Sequence, residues 1–186
     1  GQMGIPVSEG SLYNFNQEAY ENLEPVDGKS KAELAKSDVL HVDETSINKN
    51  GDRYWLHSAS NGRWTYFFPH EKRGREAMDS IGILPRLRGI LCHDHLKAYY
   101  TYPCTHALCN AHHLRELEGV WEGDNTQKWA KEMKALLEEI NRVTNDAGGM
   151  LGAGESEKYR QRYRAILQNA EAESPPPDET NRKGKR

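Results

Sequence analysis

Two Asn-Gly dipeptides, Asn50-Gly51 and Asn61-Gly62, sit between three short runs of strand-forming residues. Asn-Gly fits a two-residue hairpin turn, because both central residues must take positive φ. The runs they join are Val39-Leu40-His41-Val42-Asp43, Tyr54-Trp55-Leu56-His57-Ser58-Ala59 and Trp64-Thr65-Tyr66-Phe67-Phe68, rich in β-branched and aromatic residues. The pattern predicts an antiparallel three-stranded meander that ends at Pro69. Glu71 to Ile81 then reads as a helix with Ala77, Met78 and Ile81 inward and Gly82 at its C-terminal end. Gly89-Ile90-Leu91-Cys92-His93-Asp94 is a second apolar run closing on an aspartate. A helical turn around Leu96–Tyr100 and a fifth strand, Thr105–Cys109, complete an order β-β-β-α-β-α-β.

The flanks are helical. Ser8 is placed to cap a short helix carrying Leu12 and Phe15. Glu24 to Ser30, with Pro25 and Gly28, reads as a loop before a second short helix. Beyond Cys109, Asn110 is placed to cap a helix bearing Leu114, Leu117 and Trp121. Trp129, Met133, Leu136, Leu137, Ile140 and Val143 form an amphipathic stripe, ended by Gly148-Gly149. A last helix bears Tyr159, Tyr163, Ile166 and Leu167, and is expected to pair with its predecessor as an antiparallel hairpin. The expected organisation is an N-terminal helical segment over 1–36, a core over 37–109, a helical insertion over 110–172 and a flexible Pro-rich basic linker over 173–186. The start at Gly1 and the proline run before the basic end read as cuts through a longer protein.

Composition narrows the function. With 25 basic and 28 acidic residues the net charge is -3, which excludes a strongly cationic nucleic-acid binder but not a locally basic one. No apolar run reaches the ~18 residues that span a bilayer, and no basic and apolar leader opens the chain, so neither a membrane nor a secreted protein is expected. Three cysteines without a CxxC pair point to a reducing compartment, the cytoplasm.

Asp43 and Asp94 are the first candidates for chemistry. Each is read as closing an apolar strand, and adjacent strand ends would put two carboxylates together. Such a hard oxygen site suits Mg²⁺ or Mn²⁺. The plainer reading is that each Asp only forms a turn. His93, His95, His106, His112 and His113 lie near Cys92, Cys104 and Cys109, but their spacing fits no zinc finger, ribbon or knuckle. His93 and His112 are second-tier contacts to the carboxylates, with His106 and Cys109 in or near the core. Lys72, Arg73, Arg75, Arg86, Arg88 and Arg115 read first as a solvated face. Nothing resembles a phosphate-binding loop, a dinucleotide fingerprint or a nucleophile elbow.

Several blocks, taken in order, resemble the insertion-sequence 66 family of DDE transposases. His41-Val42-Asp43-Glu44-Thr45, the hairpin after it and Tyr54-Trp55-Leu56-His57 resemble its first-aspartate strand. Arg73-Gly74-Arg75-Glu76-Ala77 resembles its "RG…EA" segment. Gly89–His95 with Ala98-Tyr99 resembles its second-aspartate strand, with His95 where glycine is common. Thr105–Leu117 resembles its "H..C.AH..R" block. The resemblance implies an α/β, ribonuclease H-like mixed five-stranded sheet with flanking helices plus a helical insertion hairpin. It implies metal-dependent DNA cleavage and strand transfer, with Asp43 and Asp94 as catalytic metal ligands for Mg²⁺ or Mn²⁺. Its partners would be transposon-end and target DNA and, assembled on DNA, further copies of the chain. The family's third carboxylate lies in a helix beyond a helical insertion, in a stretch resembling "NN.AER.LR" that does not occur here, so it is expected beyond Arg186 and the chain alone is expected to be inactive; Glu116 is the in-chain alternative. Two other readings compete: a DNA-binding or assembly module built on the helical hairpin, and a zinc-dependent hydrolase using the histidines.

Overall fold

The structure is a computed structural model that describes residues 7–175. The chain divides into two compact units, Gly1–Leu108 and Cys109–Arg186.

The first unit is built on a five-stranded sheet in the order β3-β2-β1-β4-β5. The strands are β1 (Val39–Lys49), β2 (Asp52–Ser60), β3 (Thr65–His70), β4 (Ile90–His93) and β5 (Thr105–Leu108). β1, β2 and β3 pair antiparallel, whereas β4 pairs parallel to both β1 and β5. This is the mixed, ribonuclease H-like arrangement expected from the sequence. Helix α1 (Glu9–Leu34) precedes the sheet and α2 (Arg75–Ile81) connects β3 towards β4. The core gathers Leu40 and Val42 of β1, Leu91 of β4, Met78 of α2, Leu34 of α1, and Ile83, Leu84, Leu87, Tyr99 and Tyr102 of the connections. Each fully buried Leu-sized side chain contributes roughly 1.5–3 kcal/mol.

Several local expectations need correction. α1 runs unbroken through Pro25 and Gly28, where a loop was expected. Its last turns are tied down by buried Ser30 and Leu34, and Ser30 donates to the Asp27 carbonyl at 2.8 Å. Tertiary anchoring here overrides the poor helix propensity of Pro and Gly. β1 does not stop at Asp43 but continues to Lys49, because the whole run is paired in a hairpin with β2 from His41↔Ser60 to Lys49↔Asp52. Asn50 (φ 55°) and Gly51 (φ 93°) close that hairpin as expected.

Asn61-Gly62 is not a turn of the same kind. Ser60 pairs with Thr65, so four residues form the loop, and the Asn61 carboxamide oxygen accepts from the backbone N–H groups of Arg63 and Trp64. Pro69 lies within β3, tolerated because β3 is an edge strand. α2 starts at Arg75 rather than Glu71, since Lys72 N–H is held by His70 Nδ1 at 2.9 Å in the preceding turn. The turn before β5 is a 3-10 turn at Tyr99–Thr101.

Among the described residues the second unit has three helices: α3 (Asn110–Gly123), α4 (Lys128–Asp146) and α5 (Ala153–Glu173). α4 packs against both neighbours and buries Ala130, Met133 and Leu136. Cys109, not Asn110, holds the N-cap position of α3, without a side-chain capping bond, and Asn110 is the first helical residue. Arg162 of α5 grips Glu139 of α4 through two hydrogen bonds of 2.8 and 2.7 Å. Past Pro175, the segment expected to be flexible lies outside the described residues. Among the described residues no helix is long and apolar enough to cross a membrane.

Candidate metal centre

Alternation along β1 sends Leu40, Val42 and Glu44 to the buried face and leaves His41 and Asp43 exposed on the other. β4 runs parallel to β1 with Val39↔Ile90, Leu40↔Leu91 and His41↔Cys92. Continuing that register by two residues brings Asp43 level with Asp94, the first residue after β4. Carboxylate oxygens of the two lie within 4.8 Å of each other. Asp43 therefore meets Asp94 from within a strand, not from a strand end.

Each carboxylate is fixed by a backbone donor. Asp43 Oδ1 accepts from Glu44 N–H at 2.9 Å, and Asp94 Oδ1 from Leu96 N–H at 3.0 Å. One oxygen of each thus remains for a further ligand. Two such carboxylates are a hard donor set that fits Mg²⁺ or Mn²⁺ better than a soft metal. Between Asp94 and Leu96, His95 takes a positive φ of 20°, which explains why glycine suits this position.

Glu44, Arg73 and Tyr99 form a group beside the pair that the sequence reading missed. The Glu44 side chain is fully buried. Its Oε1 accepts from Arg73 Nε at 2.8 Å with Arg73 Nη2 also at 2.8 Å, and its Oε2 accepts from Tyr99 Oη at 2.5 Å. Burial pushes the Glu44 carboxyl above its ordinary range against the opposing pull of Tyr99 and Arg73. Burial and Glu44 together push the Tyr99 phenol up. Arg73 lies over the Trp55 ring at 4.9 Å, and its Nη2 comes within 3.7 Å of Asp94 Oδ2. A signal for Glu44 exists in the alternation Leu40, Val42, Glu44. Arg73, 29 residues away along the chain, has no comparable local signal.

His93 does not contact the carboxylate pair as expected. It is fully buried on the core face, packed against Tyr99, Tyr100 and His106. His106 Nε2 lies 3.1 Å from the Tyr102 carbonyl, which can only accept, so His106 Nδ1 carries a lone pair. His93 Nε2 then donates to it at 3.0 Å, and His93 Nδ1 is left a buried lone pair with no partner among the described residues. Burial, then His106, push the His93 pKa down, consistent with a neutral ring. His93 and His106 are therefore bonded to each other as core residues, not presented as zinc ligands. His112 and Glu116 lie on α3 in the second unit, where Glu116 is exposed and 3.6 Å from His113 Nδ1.

Comparison with solved structures returns retroviral proteins at low similarity. The HTLV-2 integrase catalytic core domain in complex with magnesium, in its trimeric form, superposes with a TM-score of 0.33 at 14% identity, covering 70% of this chain and 82% of that one. Its dimeric form gives a TM-score of 0.32 at 14% identity, with 70% and 83% covered. A chain of the simian T-cell lymphotropic virus intasome in complex with PP2A regulatory subunit B56 gamma gives 0.33 at 13% identity, with 73% and 49% covered. The ribonuclease H-like assignment is carried by strand order and pairing rather than by these superpositions. No curated protein matches the chain. A family match does, and it spans residues 1–185, taking in both aspartates, the Glu44–Arg73 pair and all three helices of the second unit. The chain belongs to the Transposase IS66 family, whose members are DDE transposases that cleave and join DNA.

Proposed function

We propose that Asp43 and Asp94 are the paired carboxylate ligands of a Mg²⁺ or Mn²⁺ centre at which DNA phosphodiesters are cut and then joined at transposon ends. The observation that supports this most is the parallel β1–β4 register, which sets the two carboxylates side by side while a backbone N–H holds one oxygen of each. Divalent ions bound there supply activation of the attacking hydroxyl and stabilisation of the leaving oxygen. The residues' part is to fix the donor oxygens before substrate arrives. Asp43 is held by its place in the sheet and Asp94 by the turn into Leu96, so little reorganisation accompanies ligand binding. The partners proposed are transposon-end DNA, target DNA and further copies of this chain assembled on DNA, in the cytoplasm.

Glu44 does not complete the acid set. It points to the opposite face of β1 from Asp43 and is engaged by Arg73 and Tyr99. The third acid is proposed, on the family pattern, to lie beyond Arg186, with Glu116 as the in-chain alternative, and two carboxylates leave the rest of the octahedral Mg²⁺ shell to water and substrate phosphate. The test is Mn²⁺-dependent cleavage of end-bearing DNA by the 186-residue chain, a form extended at its C-terminus, and D43N and D94N variants of each. The extended form is expected to cut and both substitutions to abolish cutting. Retained cutting in D43N or D94N refutes the assignment. Robust cutting by the 186-residue chain, lost in E116Q, places the third acid at Glu116 instead.

A further inference from the structure

An exposed arginine is usually mobile, and its ion pairs contribute little. Arg73 is different. Its side chain is 43% exposed, yet Nε and Nη2 straddle one oxygen of the fully buried Glu44, and the guanidinium rests over Trp55. Tyr99 occupies the other Glu44 oxygen and so fixes the carboxylate itself. Burying Glu44 is costly, and an apolar residue would pack at that place beside Leu40 and Val42 without the desolvation penalty. What the buried charge accomplishes is to hold one guanidinium still. The direction in which it is held is informative: Nη2 stands 3.7 Å from Asp94 Oδ2, the oxygen that no backbone donor occupies.

We propose that Arg73 is the resident counter-cation of Asp94: locked by Glu44 and Trp55, it holds down the affinity of the acidic pair for divalent cations and offers its remaining N–H donors to a DNA phosphate arriving at that pair. This rests on the metal-centre reading above. A guanidinium has five donors in a fixed fork, and Glu44 takes only one edge of it. A fixed positive charge beside a divalent ion raises the energy of the loaded site. The same charge lowers the energy of a phosphate diester placed next to it. Loss of Arg73 therefore moves the two affinities in opposite directions, a signature that a merely structural salt bridge would not produce.

The experiment titrates Mn²⁺ alone, followed by electron paramagnetic resonance, into the 186-residue chain and its R73Q, R73K, E44Q/R73Q and D94N variants. Binding of a short DNA duplex, without metal, is measured in parallel over a salt series. R73Q is expected to bind Mn²⁺ about three- to tenfold more tightly, the range for a unit charge near a divalent ion in a part-exposed, salt-screened site. It is expected to bind DNA at least about threefold more weakly, with the salt slope reduced by about one. R73K keeps the charge and is expected to stay near wild type for Mn²⁺. Because R73Q leaves Glu44 buried with only Tyr99 as partner, E44Q/R73Q removes that charge as well and reports the same two shifts should R73Q fold poorly. Mn²⁺ affinity unchanged or weakened in both R73Q and E44Q/R73Q, while D94N loses binding, overturns the inference and leaves the metal centre standing. Mn²⁺ binding unaffected by D94N overturns the metal centre itself, and the inference with it.

Discussion

Gly89 is the residue whose replacement most directly tests how the fold sets the carboxylate pair. It stands immediately before β4, where a Cβ would lie 2.1 Å from the Ser37 carbonyl oxygen and 2.6 Å from that of Asp38. Both neighbours are backbone, and a Cβ has no rotamer by which to escape. G89A must push the start of β4 away from the start of β1, where Ile90 N–H donates to the Asp38 carbonyl at 2.8 Å. Overpacking of this kind costs about 1–3 kcal/mol. Weakening the neighbouring backbone hydrogen bond adds about 1 kcal/mol. The expected loss is thus about 2–4 kcal/mol, a large part of the ~5–15 kcal/mol available to a domain.

The assay is urea denaturation read by hydrogen exchange at the β1 and β4 amides, so that the helical unit is not averaged in. G62A is the control, since a Cβ there meets nothing within 4 Å. It is expected to lie within about 0.5 kcal/mol of wild type. Because Asp94 follows β4 directly, G89A is also expected to weaken Mn²⁺ binding under conditions where the protein is still folded. A G89A loss below about 1 kcal/mol, or one equal to that of G62A, would refute the claim that this close approach sets the β1–β4 spacing.

Two further predictions concern the helical unit. Leu136 is buried on α4 and Leu137 only half-buried, so L136A is expected to cost about 2–5 kcal/mol and L137A clearly less, read from the helical unfolding transition; equal losses would show that the packing face is drawn wrongly. Arg162 holds the Glu139 carboxyl down to about 2, so the pair's contribution is complete above the ordinary carboxylate range and is lost as pH falls towards 2. The pair is solvent-exposed and the effect correspondingly small. A pH titration of helix content should show an acid limb that is smaller in R162A than in wild type, and identical acid limbs would count against the pairing.

What was legible in the sequence depended on how local each cause was. Asn50-Gly51 could be read because its positive φ angles are a property of two residues. Asn61-Gly62 has the same letters and a different outcome, because the Asn61 side chain satisfies two loop N–H groups and a four-residue connection becomes stable. Pro25 and Gly28 suggested a break in α1 that the buried Ser30 and Leu34 suppress, and nothing within that stretch announces the core contact. The aspartates themselves were found through two apolar runs of similar form, although the true cause of their meeting is the parallel register rather than a shared strand end. Glu44 was hidden by its neighbours: read as part of a continuous apolar run, position 44 lies past the end of the strand, whereas read by alternate residues it belongs with Leu40 and Val42. That placement would have asked at once what pairs a buried carboxylate. The answer, Arg73, lies beyond two strands and a turn, and only the folded sheet brings its guanidinium to Glu44 on one side and towards Asp94 on the other.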